Sequence, residues 1–297
     1  MMRRTIRILV QTTAPRRPDD WSVESLSMMT RYLASLRDGE TDVDVTARNR
    51  EVGPDGVDPV LGTLDRSPFD ELWIFGFDSG DDGLTSDECA AIGRFRERGG
   101  GILSTRDHGD MGASLCALGG IGSAHHFRHR NPEPDPQRQA PDDTATPSIS
   151  WPNYHSGRNG DFQRITAVEP GHPLLQHTGS VGVIELFPAH PHEGAVGPPT
   201  GDSSAHVVAR GRSQTTGRSF NLVVAFERSR DARGNALGRG IAESSFHHFA
   251  DYNWDTRRGA PSFVTEPEGD GMRMDPRALR DIKQYVRNAA FWLAPMH

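Results

Sequence analysis

Apolar and polar positions follow two distinct periods along the first hundred residues. Thr5 to Thr12 (TIRILVQT) reads as a buried strand, Trp21 to Leu36 carries apolar residues at helical spacing, and Asp42 to Ala47 (DVDVTA) alternates as a second strand. Glu71 to Phe77 (ELWIFGF) is a short apolar run closed by Asp78, Ser79 and Gly80. Thr85 and Glu88 have the spacing of a capping box, opening a helix that stops at Gly99 and Gly100. Gly101 to Thr105 (GILST) is the next strand, and RDHGDMGASLCALGG turns into a short helix. Strands and helices alternating at this spacing predict right-handed βαβ units. Ile6 to Val10, Leu72 to Phe77 and Ile102 to Ser104 should then be adjacent, parallel and buried.

The second half changes character. Asn131 to Pro147 is rich in proline and charge, so it is expected as a surface excursion and candidate lid within a loop-rich region at about 125–165. From Val181 short strands recur in VGVIELF, AHVVAR, SFNLVVAFER and GIAESSFHHF, and Asp275 to Leu293 closes as an amphipathic helix with Pro276 in its first turn. No internal repeat is visible. The expected fold is one α/β domain over 1–297: a flavodoxin-like three-layer sandwich, mainly parallel, with an antiparallel extension.

Composition narrows the function classes. A net charge of −7 on 297 residues argues against a general nucleic-acid binder. No apolar run approaches the roughly 20 residues that span a bilayer. The apolar stretch after the first arginines is too short for a secretory signal and carries Arg7, so it is read as a strand. Cys89 and Cys116 are too few for a disulfide framework, which suits a reduced, cytoplasmic setting. Lys283 is the only lysine and sits in the C-terminal helix, which disfavours Schiff-base chemistry. The 13 histidines, by contrast, fall in clusters.

Ligands of open parallel sheets sit beyond the carboxyl ends of the strands. Those ends bring Thr12, Thr13, Asp78, Ser79, Arg106, Asp107, His108, His247 and His248 to one rim. The segment GGGILSTRDHGDMG has the shape of a nucleophile elbow, but holds Asp107 and His108 at the turn. Cys116 lies two turns further on and reads, like Cys89, as a small core residue.

With GGGILSTRDHG, GHPLLQ (Gly171 to Gln176), VIELF with Glu185, and FHHFAD, the chain resembles the ThuA-like branch of the class I glutamine amidotransferase-like superfamily, without the nucleophilic cysteine. The resemblance implies the fold and a site at the elbow, and it aligns His247 with the amidotransferase base. It implies no particular reaction, beyond a loose association with carbohydrate metabolism.

Three histidine clusters offer chemistry of their own. In AHPHEG, His190 and His192 project from one face of an extended segment, and Glu193 completes a two-histidine, one-carboxylate set suited to zinc or iron. In FHHFADYNWD, only one of His247 and His248 can face a given site, beside Asp251. His125, His126 and His129 read as packing or solvated surface. The expectation is an enzyme acting on a small polar metabolite, a carbohydrate or carboxylated compound, by hydrolysis, isomerisation or elimination. Asp107, His108, Glu193, His247 and Asp251 are its catalytic candidates, and Arg106 and Asp78 its substrate contacts. His190, His192 and His248 would hold a divalent metal: zinc, iron or manganese. The same histidines paired with carboxylates would serve metal-free acid–base chemistry, and a non-catalytic binding or assembly domain is the competing class. No nucleotide cofactor, nucleic acid or membrane partner is expected, and homo-oligomerisation is left open. His108, His192 and one of His247 or His248 should meet in one pocket.

Overall fold

The structure is a computed structural model describing residues 4–17, 22–80, 82–118, 120–142, 146, 148–169, 171–179, 182–231 and 233–295, with Cys116 described in its backbone only. Its main strands are β1 (Arg4–Thr12), β2 (Thr41–Arg48), β3 (Glu71–Phe75), β4 (Gly101–Thr105), β5 (Ala205–Arg212), β6 (Ser219–Phe226) and β7 (Gly240–Glu243). They lie in the order β2-β1-β3-β4-β7-β6-β5, and Arg37–Asp38 and Thr166–Ala167 at the two edges make the sheet nine-stranded. The run from β2 to β7 is parallel. From β7 outward the pairings are antiparallel. This is the mainly parallel sheet with an antiparallel extension that the pattern predicts, in a flavodoxin-like order.

Helices α1 (Ser27–Ser35), α2 (Ser86–Glu97) and α3 (Pro276–Leu293) cover both faces. Ile8, Val10, Trp73, Phe75 and Leu103 pack with Met29 and Leu33 of α1 and Ile282, Tyr285 and Val286 of α3. Leu9, Leu72, Ile74 and Ile102 point the other way, toward Ile92 and Phe95 of α2. Because both of their faces are buried, β3 and β4 read as continuous apolar runs, whereas β2, toward the edge, alternates apolar and polar residues. The capping box at α2 is present, with Glu88 N–H donating to Thr85 Oγ1 at 3.3 Å and Thr85 N–H to Glu88 Oε2 at 2.7 Å. Asp275 caps α3, accepting from Arg277 N–H at 3.0 Å ahead of Pro276.

Several expectations are corrected. Trp21 lies outside the described residues, and the first helix begins as a 3₁₀ turn at Val23 before becoming α1. Val181 of the VGVIELF run lies outside the described residues; Leu186 and Phe187 of the run enter a short strand, Leu186–Pro188, which pairs with Phe162–Arg164 away from the main sheet. His247 and His248 sit in a 3₁₀ turn, Phe246–His248, beyond the end of β7. The segment after Asn131 is tied down more firmly than its composition suggests. Pro136–Gln139 forms a helical turn capped by Asp135, Glu133 is buried and bonded to Arg138 at 2.9 Å, and Asp142 accepts from Ser213 and Thr216. Residues 143–145 and Pro147 of that stretch lie outside the described residues.

Candidate functional site

The site forms where three chain segments leave the sheet together. β4 and β7 are parallel neighbours, with Thr105 opposite Glu243, so the turns after them emerge side by side. Phe246 N–H donates to the Arg106 carbonyl at 2.8 Å and joins the two turns. The loop carrying His190 and His192 is the third segment, closed by Gly194, whose N–H donates to the Ser244 carbonyl at 3.1 Å. A Cβ on Gly194 would stand 2.6 Å from the Asp107 carbonyl and 2.7 Å from that of Ser244. Only glycine lets the three segments approach this closely.

Asp107, His190 and His247 converge there, all buried, with ligand atoms within 4.8 Å of one another. His190 Nε2 is 3.5 Å from Asp107 Oδ1, and His247 Nε2 is 3.5 Å from Asp107 Oδ2. The tautomers follow from a chain of amides behind the rings. Asn253 Nδ2 donates to the Ala189 carbonyl at 3.1 Å and to Asn159 Oδ1 at 2.9 Å, which orients both amides. Asn159 Oδ1 then accepts from His190 Nδ1 at 2.9 Å, and Asn253 Oδ1 from His247 Nδ1 at 3.4 Å. Both rings therefore carry their proton on Nδ1 and turn an Nε2 lone pair toward the carboxylate. His190 Nε2 and Asp107 Oδ1 make no hydrogen bond.

Burial raises the Asp107 carboxyl, but the neighbouring His108 and His247 outweigh it and hold the group well below its usual range. Burial, and then the neighbouring His247, pushes His190 well below its usual value, so that ring is neutral. His108 Nδ1 is 3.0 Å from Asp107 Oδ2, and the His192 ring lies 5.6 Å from that of His108 and 5.5 Å from that of His190. These groups line a cleft of about 290 Å³ together with Asn159. Its remaining walls are Met111, Ile149, Phe263, Val264 and Glu266. His108, His190, His192 and His247, candidates from three separate segments, therefore do meet.

The other candidates lie elsewhere. Glu193 and His248, adjacent in sequence to the cleft histidines, face inward. His248 bridges Glu193 Oε2 at 3.1 Å and Glu243 Oε2 at 3.0 Å, all three fully buried. Glu193 also accepts from Ser156 Oγ at 2.6 Å, Ser244 Oγ at 2.8 Å and Gln163. Asp251 accepts from Ser27 Oγ at 2.5 Å and Met28 N–H at 2.7 Å, so it caps α1. Arg106, expected as a substrate contact, is fully buried, donates to the carbonyls of His126 and Gly109, stacks on Phe127, and is not among the residues that line the cleft. Asp78 holds Thr13 Oγ1 at 2.5 Å and Ser114 Oγ at 2.9 Å beneath the rim. His125 and His126 are buried packing residues, and His129 pairs with Asp110 at 2.7 Å at the surface.

Sequence reasoning missed Asn159 and Asn253, because a buried amide has no signature until its partner is known. It also missed Phe263, Val264 and Glu266, which line the cleft.

Among the described residues no helix is long and apolar enough to cross a membrane. No family model matches the chain, and no curated protein matches it. Among solved structures, one similar chain is a provisionally named GMP synthase subunit from Thermoplasma acidophilum. It is 10% identical, with 97% of this chain and 95% of that chain covered and a TM-score of 0.41. A likeness at that level says nothing about activity.

Proposed function

We propose that the cleft is the active site of an enzyme acting on a small polar metabolite by hydrolysis, isomerisation or elimination, with a divalent metal held by Asp107, His190 and His247. The observation that carries this reading is the pair of Nε2 lone pairs aimed at one carboxylate, each ring held from behind by an amide oxygen. Metal-binding imidazoles are held in the same way, the far N–H donating to an oxygen that sets the tautomer. Ligand bonds of about 2.0–2.2 Å in a tetrahedral set separate ligand atoms by about 3.4 Å; here each imidazole Nε2 is 3.5 Å from its own Asp107 oxygen, and one ligand atom from each residue lies within 4.8 Å of the others. Two histidines and a carboxylate suit zinc, iron or manganese and leave coordination positions open. An ion so held supplies Lewis acidity or an activated water. The chain's own groups would do the rest: His108 and His192 face the same cleft and carry protons to and from the substrate.

One observation favours a metal-free variant of the same site. The His190 and His247 rings are stacked, 12° from parallel with centroids 3.5 Å apart, and no ion can lie in both ring planes at once. A metal shared by both requires one ring to turn out of the stack. A proton shared between His247 and Asp107 does not, and it makes the pair a general acid–base couple. Elemental analysis of protein purified without a histidine tag separates the two. Near-stoichiometric metal in the wild type, lost in His190→Ala, supports the metal reading. Metal-free protein that is still active supports the acid–base one.

A further inference from the structure

The cleft's walls also carry information about what enters it. Its titratable side chains are carboxylates and histidines: Asp107 at the base, Glu266 at the rim, and His108, His190, His192 and His247 between them. Among the described residues no arginine or lysine lines it, and Arg106 spends its guanidinium on the His126 and Gly109 carbonyls behind the site. Glu266 is about two-fifths exposed, with Oε1 3.5 Å from His192 Nε2. The remaining surface is apolar: Met111, Ile149 and Val264, with Phe263 half-exposed at the mouth. At the base, His190 Nε2 and Asp107 Oδ1 are more than nine-tenths buried and make no hydrogen bond, so the floor holds unspent acceptors.

We infer that this cleft selects a small amine-bearing molecule with an apolar body, its ammonium group against Glu266 and its apolar part against Met111, Ile149, Val264 and Phe263. This deepens the active-site reading above and rests on it. A protonated amine gains a charge-assisted hydrogen bond from the Glu266 carboxylate and attraction to the face of Phe263. An anion of the same shape meets the Glu266 carboxylate at the rim, where no arginine or lysine among the described lining residues offsets it, and like-charge juxtaposition selects against it. The volume of about 290 Å³ falls at the small end of ligand cavities.

Benzylamine, benzyl alcohol and benzoate share a shape and differ in charge, so they serve as probes. Their binding to the full chain is measured by ligand-observed NMR, as purified and after chelator treatment, with metal content determined in parallel. The expected result is benzylamine binding at least tenfold tighter than benzoate. That preference should fall by tenfold or more in Glu266→Gln and reverse in Glu266→Lys, which alter a partly exposed side chain and leave the core intact. Benzoate binding as tightly as benzylamine, an unchanged preference in Glu266→Gln, or binding of none of the three overturns the inference. A preference for benzylamine in protein that never takes up metal upholds the inference and rejects the metal reading alone.

Discussion

The imidazoles of His190 and His247 lie face to face, yet each directs Nε2 at a different oxygen of Asp107, 3.5 Å away. With Asn159 and Asn253 accepting the Nδ1 protons, two lone pairs oppose a buried carboxylate. That arrangement is repulsive unless a cation, a metal ion or a proton, sits among the three groups. Burying like-signed groups together is costly, and this is why we propose the stack, the amides and the carboxylate as a cation site.

The amides behind the rings should matter nearly as much as the rings. Asn159→Ala and Asn253→Ala are each expected to weaken zinc binding about 10- to 100-fold, the usual cost of losing an outer partner. Competition against a chromophoric chelator measures this directly. Unchanged affinity in both variants would remove the tautomer argument.

Glu193 and Asp251 should separate as structural residues of different weight. Glu193→Ala leaves the buried His248 with Glu243 as its remaining carboxylate and takes the acceptor from Ser156, Gln163 and Ser244, and is expected to cost about 3–5 kcal/mol in urea unfolding. Asp251→Ala removes the cap on α1 and should cost about 1 kcal/mol, with the cleft unaltered. Loss of activity in folded Asp251→Ala would return that residue to the catalytic set.

Glu71 gives a pH test far from the cleft. Its carboxyl is fully buried at the start of β3 and accepts from Trp73 Nε1 at 2.9 Å. Burial pushes it well above its ordinary value of 4.5. The folded state therefore binds the proton more tightly than the unfolded chain does. Its favourable contribution is present below about pH 4.5 and is lost as pH rises toward the folded value. Glu71→Gln should raise stability at pH 7–8 by roughly 1 kcal/mol or more, about 2 °C or more in Tm for a chain of this size. The gain should vanish near pH 4. A substitution that destabilises equally at both pH values would contradict the assignment.

Much of the fold is visible in the chain because the parallel strands are buried on both faces. TIRILVQT, ELWIFGF and GILST are apolar enough to read as strands without their partners, and Thr85 with Glu88 announces α2. The cleft is only half visible. His190 and His192 project together because their segment is extended, as alternation requires. Glu193, next along, turns inward to His248, and nothing local distinguishes it from a ligand. Arg106 and Asp251 look like site residues by position, but their partners, the His126 carbonyl and the start of α1, are set by tertiary packing. The segment from Phe263 to Glu266 carries no periodic pattern, and only the folded chain brings it over the histidines.

The central claim is that Asp107, His190 and His247 hold one divalent ion, and cobalt(II) titration of chelator-treated protein tests it most directly. Visible absorption reports nitrogen and oxygen ligands as the ion binds. Saturation at one equivalent is expected, with displacement by zinc and loss of the signal in His190→Ala, His247→Ala and Asp107→Asn, while Glu266→Gln still binds. Absence of saturable binding, or binding that survives all three trio substitutions, would contradict it.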